Sequence, residues 1–177
     1  MKVNFHFNKP TVDEFDSWYQ HYIELTGESN PQELLQSCKL KLFDIWQSTS
    51  EAWKNEPYAP QKWSPKSVYV HLADSTLIFA NRLLWALRQG TNAMPGFDEN
   101  QFANQANAES LPSSQIWTYT ENTISIFEAL SNQVNAENIN NKINANGHDI
   151  SVRALIFINS GHFLHHLQVL QTRYGQE

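Results

Sequence analysis

Two proline positions mark where long helices must begin. They stand in the dipeptides Asn30-Pro31 and Ser64-Pro65. Asparagine and serine side chains cap the free amides of a first helical turn, and a proline at the next position gives up no hydrogen bond. Apolar residues then recur at three- and four-residue steps, to about Trp53 after the first proline and about Gln89 after the second. The sequence therefore predicts two long helices, each with one buried face.

Other segments extend the helical pattern over most of the chain. With 6 glycines and 7 prolines in 177 residues, few positions interrupt a helix, and the sequence has no alternating strand pattern and no internal repeat. The length is that of one domain. We therefore predict a single all-α domain over residues 1–177, an antiparallel four-helix bundle with an additional short N-terminal helix. The further helices are predicted over these ranges: Thr11–Leu25, Ser110 or Ser113 to about Leu130, and Ser151–Tyr174.

Charge and composition limit the classes of partner. The formal net charge of −6 argues against nucleic acid or an anionic membrane surface as the main partner. No stretch is apolar enough to span a membrane, and the first ten residues lack the apolar core of a secretion signal. The single cysteine, Cys38, lies on the apolar stripe of a predicted helix. We expect it to pack in the core and the protein to reside in a reducing compartment, the cytoplasm.

Two connections interrupt the helical pattern. From Thr91 to Leu111 the periodicity is lost, and this segment includes Met94-Pro95-Gly96-Phe97-Asp98-Glu99-Asn100. A connection of this length predicts a loop that lines a site and is partly helical. The second connection, from Asn135 to Asn146, is rich in asparagine and is predicted to be a polar link. The residues Gly147-His148-Asp149-Ile150 are then expected to turn the chain.

The most specific chemical signal is a histidine pair in the last predicted helix. His162 and His166 are four residues apart, so their rings lie on one helix face, whereas His165 projects about 100° away from it. His71, within the helix that follows Pro65, is the natural third ligand for a metal ion. Three neutral imidazoles would leave coordination positions free, as in catalytic zinc sites. The same spacing occurs in histidines that are solvated or paired with carboxylates, so the residues alone leave both interpretations open.

Residues close in sequence to these histidines are candidates for supporting roles. Asp74 and Asn159 lie three residues from His71 and His162, where either side chain can form a hydrogen bond to an imidazole; a surface aspartate is the alternative for Asp74. Gly161 lies inside a helix, where glycine costs about 1 kcal/mol relative to alanine, so we expect a neighbouring backbone to approach it. Either the His71 helix crosses there, or the glycine serves ordinary helix packing.

Three separated blocks of sequence form a more specific pattern than any one of them. The first runs from Tyr58-Ala59-Pro60 through Lys62-Trp63-Ser64 to His71-Leu72-Ala73-Asp74. The second is Met94-Pro95-Gly96-Phe97-Asp98-Glu99, and the third runs from Ser151-Val152-Arg153-Ala154-Leu155 to Gly161-His162-Phe163-Leu164-His165-His166-Leu167. In this order, over about Pro57 to Gly175, they resemble the DinB/YfiT-like family of metal-binding four-helix bundle proteins.

The resemblance carries specific expectations. It implies a DinB-like bundle in which His71, His162 and His166 bind one divalent metal ion, and it implies a homodimer. Characterised relatives include transferases that join low-molecular-weight thiols to electrophiles, isomerases dependent on such thiols, and members described as possible hydrolases. One departure stands out: relatives often carry an acidic and then a basic residue shortly after the aspartate of the first block, where this chain has Thr76 and Leu77.

We therefore expect a divalent-metal-dependent enzyme, with zinc or nickel as the ion, that transfers a low-molecular-weight thiol to an electrophilic small molecule. A metal-dependent hydrolase is one alternative, and a non-catalytic metal-binding stress-response module is another. Arg82, about three turns after His71, is a candidate for holding an anionic group, with a plain surface arginine as the alternative. Asp98 and Tyr58 are candidates for lining the pocket because they lie in or next to the family-like blocks.

Overall fold

Four long helices and several short elements make up the protein in this computed structural model, which describes residues 7–90 and 93–175. The helices are α1 (Gln20–Leu25), α2 (Pro31–Ser48), α3 (Glu51–Asn55), α4 (Pro65–Leu87), α5 (Glu99–Ala106), α6 (Ser113–Ser131) and α7 (Val152–Arg173). The strands are β1 (Lys142–Ala145) and β2 (His148–Ser151), and single 3-10 turns cover Val12–Glu14, Ser17–Tyr19 and Ala108–Ser110. Helices α2, α4, α6 and α7 pack as a four-helix bundle, so the predicted all-α bundle is confirmed, with α1 as the short N-terminal helix. The predicted antiparallel arrangement does not hold for α4 and α6, which run in the same direction.

Helix starts are set by local side-chain chemistry. The Asn30 side chain accepts two amide hydrogen bonds from the first turn of α2. Ser64 and Ser151 each accept one, at 3.1 and 2.9 Å, at the starts of α4 and α7. These three caps are as predicted. Helix α6 differs, because it begins after Pro112 with no side-chain cap, and the predicted serine cap is therefore wrong there.

Two predicted helices are shorter than expected. The segment predicted as one helix from Thr11 to Leu25 forms two 3-10 turns before α1, because the Asp16 side chain accepts the Trp18 amide at 2.7 Å and starts a new turn. Helix α2 ends at Ser48 rather than near Trp53. The Thr49 hydroxyl donates to the Ile45 carbonyl at 2.8 Å, and Ser50 caps the separate helix α3.

Contacts at the helix ends define the directions of the bundle helices. Helices α4 and α6 run the same way: near their starts Thr120 donates to the Tyr69 carbonyl at 3.3 Å, and at their ends Arg88 donates to Gln133 at 2.7 Å. Helix α7 runs opposite to α4, and α2 runs opposite to α6. The long connection before α6 explains this order, because it returns the chain along the bundle.

The polar link before α7 contains a β-hairpin that the sequence analysis did not predict. Strands β1 and β2 pair antiparallel, with Ala145 opposite His148. The two turn residues, Asn146 and Gly147, have φ angles of 54° and 82°, as a tight two-residue hairpin turn requires. Met94 pairs with this hairpin through its amide and carbonyl, at 2.9 and 3.0 Å. The hairpin therefore holds the long loop in place. The first residue predicted for this loop, Thr91, lies outside the described ranges.

The core fills the space between the four long helices, and Cys38 is part of it, as predicted. Its side chain is buried, and burial raises the pKa of its thiol to about 11. At neutral pH the thiol is therefore protonated and shielded.

Within the described ranges, no helix has both the length and the apolar character needed to cross a membrane.

Glu14 connects the N-terminal segment to the start of α7. Its carboxylate accepts hydrogen bonds from the Thr11 amide at 2.9 Å, the Ser151 hydroxyl at 2.7 Å and Arg153 Nε at 2.9 Å. Burial raises the pKa of this carboxyl, but these hydrogen bonds together outweigh burial, and the pKa lies below its ordinary value of 4.5.

Replacing Glu14 with glutamine is expected to lower the free energy of unfolding at pH 7 by about 1–3 kcal/mol, because a buried charged acceptor is lost. Since the folded-state pKa is lowered, the stabilisation is complete above pH 4.5 and disappears as the pH falls through the folded-state pKa. Urea unfolding at pH 7 and at pH 3.5 measures this, with Glu24→Gln, an exposed glutamate, as control. Equal stability of Glu14→Gln and the unchanged protein at pH 7 would contradict it.

Candidate metal centre

Three histidine nitrogens converge where α4 faces α7. His162 Nε2 lies 3.0 Å from His71 Nε2 and 3.0 Å from His166 Nε2. One nitrogen from each of the three rings lies within 4.8 Å of the other two. His71 comes from the second turn of α4, while the other two lie one turn apart on α7. The antiparallel contact of α4 with α7 therefore brings together the three residues that the sequence singled out.

The arrangement fits a shared cation better than hydrogen bonds between rings. A ring nitrogen carries either one hydrogen or one in-plane lone pair, so His162 Nε2 cannot form good hydrogen bonds with both neighbours. Two nitrogens that bind one ion at about 2.0–2.1 Å lie at most about 4.2 Å apart, and both 3.0 Å pairs satisfy this limit. The donor set, three imidazoles, suits a divalent transition-metal ion.

Burial keeps the three rings neutral. His71 is 6% exposed, His162 4% and His166 8%. Burial, with repulsion from His165, lowers the pKa of His71 to about 4. Burial and then the neighbouring imidazoles lower the pKa values of His162 and His166 well below the ordinary 6.5. At neutral pH each ring therefore has a free lone pair, which metal coordination requires.

The outer nitrogens of the rings have few partners. His71 Nδ1 lies 3.5 Å from the Ser75 hydroxyl, at the limit of a hydrogen bond. Among the residues that the structure describes, no group forms a hydrogen bond with Nδ1 of His162 or Nδ1 of His166, although both atoms are buried. Aromatic rings fix the orientation of the imidazoles instead. Trp63 stacks on His166 at a ring-centre distance of 6.4 Å, and the Tyr22 ring meets His162 edge-on at 5.1 Å.

The histidines lie on the wall of a cavity of about 440 Å³. Helix α1, the Trp63 side chain and the long loop complete its walls, and the loop is held there by its pairing with the hairpin. At Gly96 a Cβ atom would overlap the Asn146 side chain, so the loop and the hairpin are in close contact at the cavity edge. The prediction that the long loop lines a site is consistent with this position.

Gly161 permits the close approach of α1, not of the His71 helix. A Cβ atom at this position would overlap the Tyr22 backbone carbonyl. The hypothesis that α4 crosses at Gly161 is therefore wrong, because α1 occupies that face of α7. The close contact brings the Tyr22 ring against His162 and closes one side of the cavity.

A family model described as the DinB superfamily matches residues 35–170, a range that includes all three histidines and most of the bundle. The chain belongs to the DinB superfamily. The resemblance seen in the three sequence blocks is thereby confirmed.

Individual relatives of this DinB chain show the extent of the similarity. A protein of Geobacillus thermodenitrificans (strain NG80-2), named "Putative metal-dependent hydrolase", is 36% identical over 58 residues, which is 33% of this chain and 33% of that protein. This chain thus matches about one third of that relative's length.

Two solved structures share the DinB fold. YfiT from Bacillus subtilis, described as a probable metal-dependent hydrolase with an unusual four-helix bundle topology, superposes with a TM-score of 0.68 at 16% identity, over 94% of this chain and 91% of YfiT. The mycothiol-dependent maleylpyruvate isomerase superposes with a TM-score of 0.67 at 13% identity, over 80% of this chain and 59% of that one. At these identities the likeness shows the fold.

Two predicted supporting residues of the DinB chain do not contact the histidines. Asp74 accepts a hydrogen bond from the Tyr119 hydroxyl at 2.7 Å, because its position on α4 faces α6. Asn159 is fully buried, and its side chain faces the Thr76 hydroxyl at 3.3 Å. The hydrogen bonds to imidazole proposed for both residues are therefore absent.

Of the three residues predicted to hold an anion or line the pocket, one lines the cavity beside the histidines and two do not. Arg82 lines the cavity and is 1% exposed, so the alternative of a surface arginine is wrong. Asp98 does not line this cavity, because its side chain accepts the amides of Asn100 and Gln101, both at 2.9 Å, as the cap of α5. Tyr58 lines a neighbouring cavity instead.

Several residues of the cavity were not identified from the sequence. Trp63 and Tyr22 contact the histidine rings, and Phe79 and Glu99 complete the wall. Phe79 follows His71 by eight residues, a spacing that places both on one face of α4 and that could have indicated it. Nothing in the local sequence of Tyr22 indicates that α1 packs against α7.

Proposed function

We propose that His71, His162 and His166 bind one divalent metal ion and that the protein is an enzyme that transfers a low-molecular-weight thiol to an electrophilic small molecule. The observation that carries this proposal is the convergence of three neutral imidazole nitrogens on the wall of a cavity large enough for a ligand. Zinc or nickel is the proposed ion, because imidazole suits both. A homodimer in the cytoplasm remains the prediction from the resemblance and the composition.

In the proposed site the histidines would bind the metal ion, and the aromatic residues around them would limit the access of water. A divalent ion bound there would favour the anionic form of a thiol or of water near neutral pH. The three histidines supply no negative charge, so the full charge of the ion would act on the bound nucleophile. Trp63, Phe79 and Tyr22 surround the imidazoles with apolar surface and limit the access of water.

Two cavities beside the histidines support a reaction with two substrates. A second cavity, of about 270 Å³, is lined by Tyr58, Val169 and Tyr174. Trp63, His165 and His166 border both cavities. A thiol and an electrophile would therefore have separate spaces that meet at His166, whereas hydrolysis of a small substrate needs only one.

The thiol must come from outside the protein. Cys38 is the only cysteine of the chain, and it is buried in the core with its pKa raised to about 11. It is not among the residues that line either cavity. A free low-molecular-weight thiol is thus the sulfur source that the proposal requires.

A metal-dependent hydrolase is the second candidate, and one residue favours it. Glu99 lines the larger cavity and is its only carboxylate among the described lining residues. A carboxylate in that position can accept a proton from water. The names of the Geobacillus protein and of YfiT support the same reaction class.

A direct activity test distinguishes the candidates. The purified protein, supplied with zinc or nickel, is mixed with glutathione or bacillithiol and 4-chloro-3-nitrobenzamide. In the expected reaction a carbon–sulfur bond forms, the carbon–chlorine bond breaks, chloride leaves, and the thiol proton passes to solvent. We expect metal-dependent loss of free thiol at least about tenfold above the rate without protein, and loss of this acceleration in His162→Ala.

Other outcomes would overturn the transfer proposal. No acceleration across a panel of thiols and electrophiles would reject it. Hydrolysis of esters or amides without added thiol would favour the hydrolase. No turnover in either assay, with melting temperature lowered in His71→Ala, would favour a metal-binding module without catalysis.

A further inference from the structure

Arg82 is a buried cation without an anionic partner. Its guanidinium donates to the Tyr19 hydroxyl at 3.3 Å and to the Pro95 carbonyl at 3.0 Å, and both acceptors are uncharged. Its Nε has no acceptor, and within the described ranges no carboxylate lies at ion-pair distance. Burial of an unpaired charge is costly. The fold therefore maintains at Arg82 a positive charge that no carboxylate of the described residues neutralises.

The position of this charge relates it to the histidines. Arg82 lines the same cavity of about 440 Å³ as His71, His162 and His166. Phe79 lies between them, with its ring centre 5.8 Å from the guanidinium carbon and 6.2 Å from the centre of the His162 ring. A group bound at Arg82 would therefore be separated from the imidazoles by about one aromatic ring.

Glu99 supplies the one carboxylate among the described residues that line the cavity. Glu99 lines the cavity but forms no ion pair with Arg82. The Glu99 carboxylate is therefore beyond ion-pair distance of the Arg82 guanidinium.

We propose that Arg82 binds a carboxylate of the electrophilic substrate, so that the substrates are small organic acids held with their reacting carbon toward the three histidines. This inference rests on the proposed function for the identity of the reacting group. The guanidinium fork matches the two oxygens of a carboxylate, and the 3.3 Å bond to Tyr19 is long enough to be exchanged for a stronger acceptor. Arg82 is thus a specificity-determining residue.

The test uses two probes of the same shape that differ in charge. These are 4-chloro-3-nitrobenzoate and 4-chloro-3-nitrobenzamide, and their binding to the metal-free protein is measured by quenching of tryptophan fluorescence, since Trp63 lines the cavity. We expect the unchanged protein to bind the benzoate at least about tenfold more tightly than the benzamide. Arg82→Met should bind both equally, and Arg82→Lys should keep part of the preference. Arg88→Met, an exposed arginine after α4, should keep all of it.

The binding results test the role of Arg82 independently of the proposed thiol transfer. Equal binding of the two probes by the unchanged protein, no saturable binding of either, or a full preference in folded Arg82→Met would overturn the role of Arg82. If Arg82→Met does not fold, the comparison of probes in the unchanged protein and in Arg82→Lys still decides. A carboxylate preference without thiol transfer would reject only the proposed function, because binding is measured without metal or turnover.

Discussion

His162→Ala is expected to lower the affinity of the protein for a divalent metal ion by roughly 100-fold or more. Loss of a residue that only supports a ligand already costs about 10–100-fold, so loss of a ligand should cost at least as much. His162 is the ring whose Nε2 lies 3.0 Å from both other histidines, and its removal leaves two nitrogens to hold the ion. Competition with a chromophoric chelator at pH 7.5 measures the affinity.

His165→Ala is the matched control for this change. It lies on the same helix and next to His166, but its ring faces His21, with a nitrogen–nitrogen distance of 3.4 Å. We expect its metal affinity to stay within about threefold of the unchanged protein. Equal loss in the two variants would show that the three-histidine cluster is not the binding site.

Gly161→Ala is expected to destabilise the protein by about 3 kcal/mol, the upper part of the range for overpacking. In an unobstructed helix the same change would stabilise by about 1 kcal/mol. Here the new Cβ atom would overlap the Tyr22 backbone carbonyl, and a backbone atom cannot turn aside as a side chain can. Helix α1 must therefore move away from α7, and the Tyr22 ring must leave His162. Urea unfolding measures the stability change.

Gln171→Ala, on the exposed side of α7, is the control for helix propensity. We expect its stability to lie within about 0.5 kcal/mol of the unchanged protein. If Gly161→Ala is as stable as the unchanged protein or more stable, α1 does not pack closely against α7 at this position. Gly161 would then not be the position that lets α1 close the cavity.

The parts of the fold that the sequence predicts are those decided by neighbouring residues. Asn30, Ser64 and Ser151 cap helices because a short side chain reaches the amides of the very next turn. The starts of α2, α4 and α7 were therefore predictable to the residue. The paired histidines of α7 follow from helical geometry in the same way.

The parts that the sequence analysis missed depend on contacts between distant segments or on competing local bonds. The Asn146-Gly147 turn is a strong hairpin signal, but the strands beside it are only four residues each, and although β1 alternates polar and apolar residues, β2 does not. Asp74 binds Tyr119 instead of an imidazole because α6 packs beside α4. Asp98 caps α5, a helix within a segment without clear periodicity.

In the candidate metal centre, too, neighbouring residues were informative and contacts between distant segments were not predictable. That His71 joins the pair on α7 depends on the antiparallel packing of α4 with α7. The helical pattern made His71 a candidate third ligand, and the family resemblance implied that it joins the pair. The burial of Arg82 could not be predicted, because Tyr19 and Pro95 reach it from segments far along the chain or on the loop. The spacing of Arg82 from His71 placed it on the correct face of α4 but did not indicate its burial.

The central claim is that three imidazoles share one ion. X-ray absorption at the metal edge, on protein titrated with zinc or nickel to saturation, tests it most directly. We predict one ion per chain with three imidazole nitrogens at about 2.0–2.1 Å, and at most two in His71→Ala. No stoichiometric binding, or an unchanged imidazole count in His71→Ala, would contradict the claim.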